Sequence, residues 1–238
     1  MLQPVRGTHD VLPEEMRAYR YVSDTSRKIA ERYGFDEMAT PIFEFSHVFT
    51  RTLGEVSDIV SKEMYSFVEK GGDEITLRPE NTAGVARCFI SQGLAQQVPV
   101  KFFYSGPMFR HERPQKGRLR QFHQIGVEYI GAAGPQADIE AIAVGGQILE
   151  ALGIRDQTVL ELNSLGDDES RRRYRDELLA YFSDHKGELS MDSCRRLEQN
   201  PLRILDSKDR DDKRLIVGAP VFQDFLNAKS LDFWSTLF

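Results

Sequence analysis

Val100-Lys101-Phe102-Phe103-Tyr104-Ser105-Gly106-Pro107-Met108-Phe109 runs into Arg110-His111-Glu112-Arg113-Pro114-Gln115-Lys116-Gly117-Arg118-Leu119-Arg120, and then into Gln121-Phe122-His123-Gln124-Ile125-Gly126-Val127-Glu128-Tyr129-Ile130. The first part is apolar on both faces, the pattern of a central strand. From Phe122 to Ile130 the chain alternates, with His123, Ile125, Val127 and Tyr129 on one side and Phe122, Gln124, Gly126 and Glu128 on the other. Residues 110–120 hold five Lys/Arg and one Glu, a local charge of +4. Two strands joined by a basic loop, with Pro114 and Gly117 at the turn, predict an antiparallel pair.

Upstream, a helix is expected from Pro13 to Tyr33. Pro13 suits the first turn, Glu14 and Glu15 suit its positive end, and Gly34 stops it. Met16, Tyr19, Val22, Ile29 and Tyr33 form its apolar stripe. A strand-like stretch from Phe35 to Phe43 is broken by Pro41. Met64 to Val68 and Ile75 to Leu77 read as a hairpin across Glu69-Lys70-Gly71-Gly72-Asp73. After Arg78-Pro79-Glu80-Asn81 comes a helix with Val85, Ala86, Phe89 and Ile90 on one face. Downstream, a helix from Asp138 to Leu152 and a strand from Thr158 to Asn163 are expected. From Gly166 the texture changes: residues 166–214 hold 13 acids and 12 bases. One helix there, Ser170 to His185, carries a stripe of Tyr174, Leu178, Tyr181 and Phe182. Residues 166–238 therefore read as a separate, more polar module, and residues 1–165 as an antiparallel-rich α+β domain.

The 238 residues carry a net charge of −6, with 40% hydrophobic and 29% charged residues, the usage of an ordinary globular protein. That balance argues against coating nucleic acid by bulk charge and leaves room for a local basic patch. There is no run of about 20 apolar residues and no apolar leader, so no membrane partner is expected. Cys88 and Cys194 are too few for a disulfide scaffold, and a reducing cytoplasm is the expectation. No CxxC or HExxH spacing exists, and no protein metal site is expected.

The chemistry concentrates around the two strands. Arginine is the residue of bidentate phosphate contact, so the basic loop reads as a phosphate site; a solvated hairpin tip would have the same composition. Arg110 and Glu112 share a face, and Glu112 could hold Arg110. Gln124 and Glu128 project from one face about 13 Å apart, at ~3.3 Å per residue, as a ligand floor or as a solvated surface. Glu80 reads either as a third polar wall or as an exposed helix-start acid. Phe122 is a candidate stacker or a core residue. Neither GxxxxGK[ST] nor GxGxxG occurs, so any nucleotide would be held by arginines and stacking.

The run Phe109-Arg110-His111-Glu112 through Arg120-Gln121-Phe122 resembles motif 2 of class II aminoacyl-tRNA synthetases, and in particular the histidyl-tRNA synthetase family. Arg6-Gly7-Thr8-His9-Asp10, Lys62-Glu63-Met64-Tyr65, Thr76-Leu77-Arg78-Pro79-Glu80 and Asn200-Pro201-Leu202-Arg203 agree, in that order, so the likeness covers nearly the whole chain. The resemblance implies a class II catalytic core built on an antiparallel sheet flanked by helices. It implies that histidine and ATP, with Mg²⁺ on its phosphates, form histidyl-adenylate, and that the histidyl group passes to the 3′ end of tRNA. Glu80, Asn81, Thr82, Gln124 and Glu128 would bind histidine, with Glu80 and Thr82 at the α-ammonium group and Glu128 toward the imidazole. Arg110, the catalytic residue, would hold the α-phosphate and the reacting carboxylate. Glu112, Arg118 and Phe122 would serve ATP. Arg113, Gln115 and Lys116 would meet the tRNA acceptor end. Gly34 to Thr52 resembles motif 1, which builds a homodimer.

The family would continue past Phe238 with a second catalytic arginine, motif 3 and an anticodon-binding domain. The resemblance thus implies a core incomplete at its C-terminus, with residues 166–238 opening an insertion domain, and adenylate formation by these residues alone is not expected at a useful rate. A paralogue of the family serves as a non-catalytic regulatory subunit of ATP phosphoribosyltransferase. It would have no reason to keep the basic run from Arg113 to Arg120. A chain that only folds and dimerises would show no histidine-dependent stabilisation.

Overall fold

The computed structural model describes residues 2–53, 59–113 and 115–237. They form two compact units, residues 1–159 and 160–238.

In the first unit, helix α1 (Pro13–Arg32) starts on Pro13 with Glu14 and Glu15 in its first turn, and ends at Gly34 with φ +77°. Two short strands follow on either side of Pro41, β1 (Asp36–Glu37) and β2 (Phe43–Phe45), and they join different sheets. Helix α2 (Ser46–Leu53) and a π-helical turn (Ile59–Glu63) lead to the expected hairpin, β3 (Tyr65–Val68) and β4 (Glu74–Leu77). Helix α3 (Thr82–Ser91), the long strands β5 (Val100–Phe109) and β6 (Gln121–Ile130), and helix α4 (Pro135–Ala151) complete the unit.

The central sheet has the order β1-β5-β6. β5 and β6 are antiparallel from Val100↔Ile130 to Phe109↔Gln121, as read from the alternation, while β1 joins β5 in parallel. One face is covered by α1 and α4: Ile29, Ala30, Phe35, Phe103 and Val144 form a buried cluster with Ile125, Val127 and Tyr129 around it. The other face carries Val85, Tyr104 and Met108, with Phe102 and Phe122 beside them. The second sheet, β2-β4-β3, is antiparallel throughout.

Four expectations need correction. Of the α1 stripe only Ile29 is buried, while Met16 is 44% exposed. The helix meets its neighbours through Ser26, Ile29 and Ala30, with Tyr33 of the stripe packed against the same cluster. On α3 the buried residues are Ala83, Gly84 and Val85, and Ile90 is 77% exposed, because the helix is covered at its N-terminus rather than along a stripe. Gly84 lies against Thr40, whose Oγ1 would stand 3.0 Å from an added Cβ. Residues 158–163 form no strand, since no strand pairs with them among the described residues; α4 also begins three residues earlier than expected.

The second unit is helical. Its four helices, α5 (Asp168–Asp184), α6 (Met191–Gln199), α7 (Arg210–Val217) and α8 (Ala228–Ser235), each begin on a side-chain cap: Asp167, Ser190, Asp209 and Asn227. The stripe of α5 is buried as expected, Tyr174, Leu178 and Phe182 packing with Leu189, Leu197, Ile204 and Leu215, and Tyr181 flanking them. No helix among the described residues is long and apolar enough to cross a membrane.

Candidate functional site

The open face of the β5–β6 pair carries Tyr104 and Gly106 on one strand and Phe122, Gln124, Gly126 and Glu128 on the other. The entry to α3 lies over it. Glu80 turns back on the helix start, Oε2 accepting from Thr82 N at 2.6 Å and Oε1 from Ala83 N at 3.0 Å. It is 9% exposed, so it is a cap, though a buried one rather than the exposed acid of the local reading. Thr82 Oγ1 donates to Glu128 Oε1 at 2.7 Å, which ties the helix to the strand.

Tyr104 completes this cluster. Burial, reinforced by the charge of Glu128, pushes its hydroxyl pKa up to about 12, so it stays protonated and can donate. Burial also raises the Glu128 pKa, and the hydrogen bond from Thr82 and the one from Tyr104 oppose that rise. Two carboxylates and two hydroxyls thus cluster on this sheet face, a set suited to a cationic or N–H-donating ligand group. Gln124 lies on the same face, and its Oε1 is buried without a partner among the described residues. A buried acceptor left open costs about 1–3 kcal/mol, so a ligand or water donor is called for there.

The basic end is built around Arg110. Its Nε donates to the Pro79 carbonyl at 2.9 Å, and its guanidinium lies 5.1 Å from the Phe122 ring centroid. Phe122 therefore already stacks on one cation. Glu112 is 4.0 Å from Arg110 and 3.0 Å from Arg118, so its closer partner is Arg118, and a backbone carbonyl holds Arg110. The loop itself is clamped by neighbours: His111 N donates to Glu63 O at 2.7 Å and Arg120 N to Gly7 O at 2.7 Å. Arg113, Gln115 and Lys116 stay exposed on it. Gly117 has φ +80°, as its turn requires, while Pro114 lies outside the described residues.

Asn81 is 1% exposed and faces inward: Oδ1 accepts from Thr40 Oγ1 at 2.5 Å and from Arg78 at 3.3 Å, while Nδ2 has no partner among the described residues. Two residues of this cluster, Tyr104 and Arg78, were not singled out from the sequence. Their signal was a pair of glycines. Glycine inside a strand marks close approach, and a Cβ on Gly126 or Gly106 would strike Tyr104 or Arg78.

A family model described as histidyl-tRNA synthetase matches residues 7–166, which include every residue of this site. The chain belongs to the histidyl-tRNA synthetase family. It is 64% identical over 234 residues to the histidine–tRNA ligase of Rhodospirillum rubrum, covering 98% of this chain and 56% of that protein. It is 58% identical over 236 residues to that of Gluconacetobacter diazotrophicus, covering 99% and 57%. The apo histidyl-tRNA synthetase of S. aureus superposes with a TM-score of 0.75 at 35% identity, covering all of this chain and 53% of that one. The chain thus spans about half the length of the curated relatives it matches. A Bacillus halodurans structure described as an ATP phosphoribosyltransferase regulatory subunit/histidyl-tRNA synthetase is 20% identical with a TM-score of 0.60, a likeness of fold.

Proposed function

We propose that this chain carries the amino-acid-binding part of a histidine–tRNA ligase, which activates L-histidine with ATP to histidyl-adenylate and transfers it to the 3′ end of its tRNA. The observation that carries this reading is the buried, unpartnered Gln124 oxygen beside the Glu80–Thr82–Glu128–Tyr104 cluster. Acids at one end and Arg110 at the other match the charges of histidine. Glu80 and Thr82 take the α-ammonium group, Glu128 takes an imidazole N–H, and Gln124 accepts from the ligand. Asn81 acts from behind, through Arg78 and Thr40. Selection by hydrogen bonds to the ring is strong, because an analogue without them leaves these buried groups unpaired.

Arg110 is the catalytic residue. Attack of the histidine carboxylate on the α-phosphate spreads charge over its oxygens, and a guanidinium held by Pro79 answers that charge without reorganising. ATP enters as its Mg²⁺ complex; Arg118, paired with Glu112, and Phe122 face it. Arg113, Gln115 and Lys116, exposed on the loop, meet the tRNA acceptor end. Residues 1–165 belong to the catalytic core and residues 166–238 open an insertion domain, within an enzyme that acts in the cytoplasm. The segment Gly34 to Thr52 forms a homodimer contact, supported by the exposed Phe43 and Phe45 on β2. Relatives named histidine–tRNA ligase, up to 64% identical, favour this reading over the regulatory subunit.

The test is thermal unfolding with and without L-histidine. At a hundredfold excess over Kd, a ligand that binds only the folded state adds about 2.7 kcal/mol, which for a chain of this size raises the midpoint by roughly 5–10 °C. Glu128→Gln is expected to abolish the rise. An unchanged wild-type midpoint at saturating histidine would overturn the reading.

A further inference from the structure

Arg78 is the one buried Lys or Arg among the described residues, at 6% exposure. Its contacts are all to neutral acceptors. Nε donates to Pro107 O at 3.0 Å, and Nη1 to Thr40 O at 2.9 Å, Thr40 Oγ1 at 3.1 Å and Asn81 Oδ1 at 3.3 Å. A buried cation without a carboxylate is costly, and here nothing offsets it by pairing. Those contacts join three separate pieces of the chain: the link between β1 and β2, the end of β5, and the entry to α3. The Arg78 backbone is held in the same way, its N donating to Ile42 O and its O accepting from Phe109 N, both at 2.9 Å.

The next four residues are the ones that shape the site. Pro79 O holds Arg110, Glu80 caps α3, Asn81 receives Arg78, and Thr82 holds Glu128. One guanidinium therefore fixes, from beneath, a turn that sets the phosphate-facing arginine and the ring-facing carboxylate at once. Nη2 has no hydrogen-bond partner among the described residues and leans over Gly106, 2.5 Å from where a Cβ would be. Gly106 pairs across the ladder with Gln124, whose oxygen is open.

We infer that Arg78 is a positioning residue for the whole amino-acid site, acting through Pro79 on Arg110 and through the α3 entry on Glu128. This rests on the histidine-binding reading above. The test is calorimetric titration of the 238-residue chain with L-histidine and with histidinol, which lacks the carboxylate. Two variants disturb Arg78 differently: Arg78→Lys keeps the charge and loses the fork, and Gly106→Ala presses on Nη2 and leaves the charge alone. Both are expected to weaken histidine and histidinol together, by about tenfold or more, as coupled neighbours do. Arg110→Ala, by contrast, should weaken histidine far more than histidinol.

If either variant folds with a lowered midpoint yet binds both ligands within about twofold of wild type, Arg78 is only structural and the inference fails. Should Arg78→Lys not fold, Gly106→Ala decides alone. Wild-type protein that binds neither ligand would overturn the histidine reading itself, and this inference with it. Wild-type binding with unaffected variants would overturn the inference only.

Discussion

Asp212→Ala is expected to destabilise the second unit by about 1–3 kcal/mol, the cost of leaving a buried hydrogen-bond donor without its acceptor. The Asp212 side chain is fully buried. Its carboxylate accepts from Ser190 N at 2.9 Å, Ser190 Oγ at 2.8 Å, Ser193 Oγ at 2.6 Å and Ser207 Oγ at 2.6 Å. It thereby joins the first turn of α7 to the cap of α6 and to the loop between them. Alanine would leave the buried Ser193 hydroxyl without its acceptor, while the half-buried donors of Ser190 and Ser207 can turn to water. Asp212→Asn keeps the volume and one oxygen, and is expected to cost less.

The charge state gives a second handle on the same site. Burial alone would push the Asp212 pKa up, but the serine hydrogen bonds outweigh it and hold it at about 2. A depressed carboxylate pKa stabilises the fold above the unfolded value near 4. That contribution is lost as pH falls from about 4 to about 2. Trp234, the single tryptophan, lies in α8 of this unit, so its fluorescence in a urea titration reports the unit directly. Equal stability of wild type and Asp212→Ala at pH 7 would show that the serines find other acceptors.

The strands that build the site were legible because their signal is local. Alternation from Phe122 to Ile130 assigned each side chain of β6 to its face, and that placed Gln124 and Glu128 together. The apolar stripe of α5 likewise located a helix to within two residues. What was not legible depends on partners distant in sequence. Thr158 to Asn163 has strand-like composition, but a strand exists only where another pairs with it. Glu112 could hold Arg110 on the sequence reading and does lie 4.0 Å from it, but the shorter contact comes from a backbone carbonyl, Pro79 O, which no residue-type argument anticipates. Glu80 was open between two readings, and the fold makes it the acid at the helix start, buried rather than exposed. Tyr104 reads as one more apolar strand residue until the ladder sets it against Gly126.

Gly126→Ala is therefore expected to damage both stability and ligand binding with a single methyl group. An added Cβ would stand 2.3 Å from the Tyr104 Cζ and hydroxyl oxygen and 2.9 Å from Cε1. These atoms belong to the Tyr104 phenol; the residue is 7% exposed and packed with the fully buried Val85 and Met108, so the ring has no open side to move into. Overpacking of this kind costs about 1–3 kcal/mol. The ring cannot move without taking its hydroxyl away from Glu128, so histidine affinity should fall with stability. Two companion variants separate the effects. Tyr104→Phe keeps the ring and removes the donor, so it should fold nearly as well as wild type and bind histidine more weakly. Tyr104→Ala combined with Gly126→Ala removes the clash, so the double variant should be more stable than the two single losses add up to, by about 1–3 kcal/mol. If the losses instead add, the methyl group does its damage somewhere other than the ring. Strict additivity, with histidine affinity unchanged in Gly126→Ala, would mean that Tyr104 packs against the sheet without orienting Glu128, and the carboxylate would owe its position to Thr82 alone.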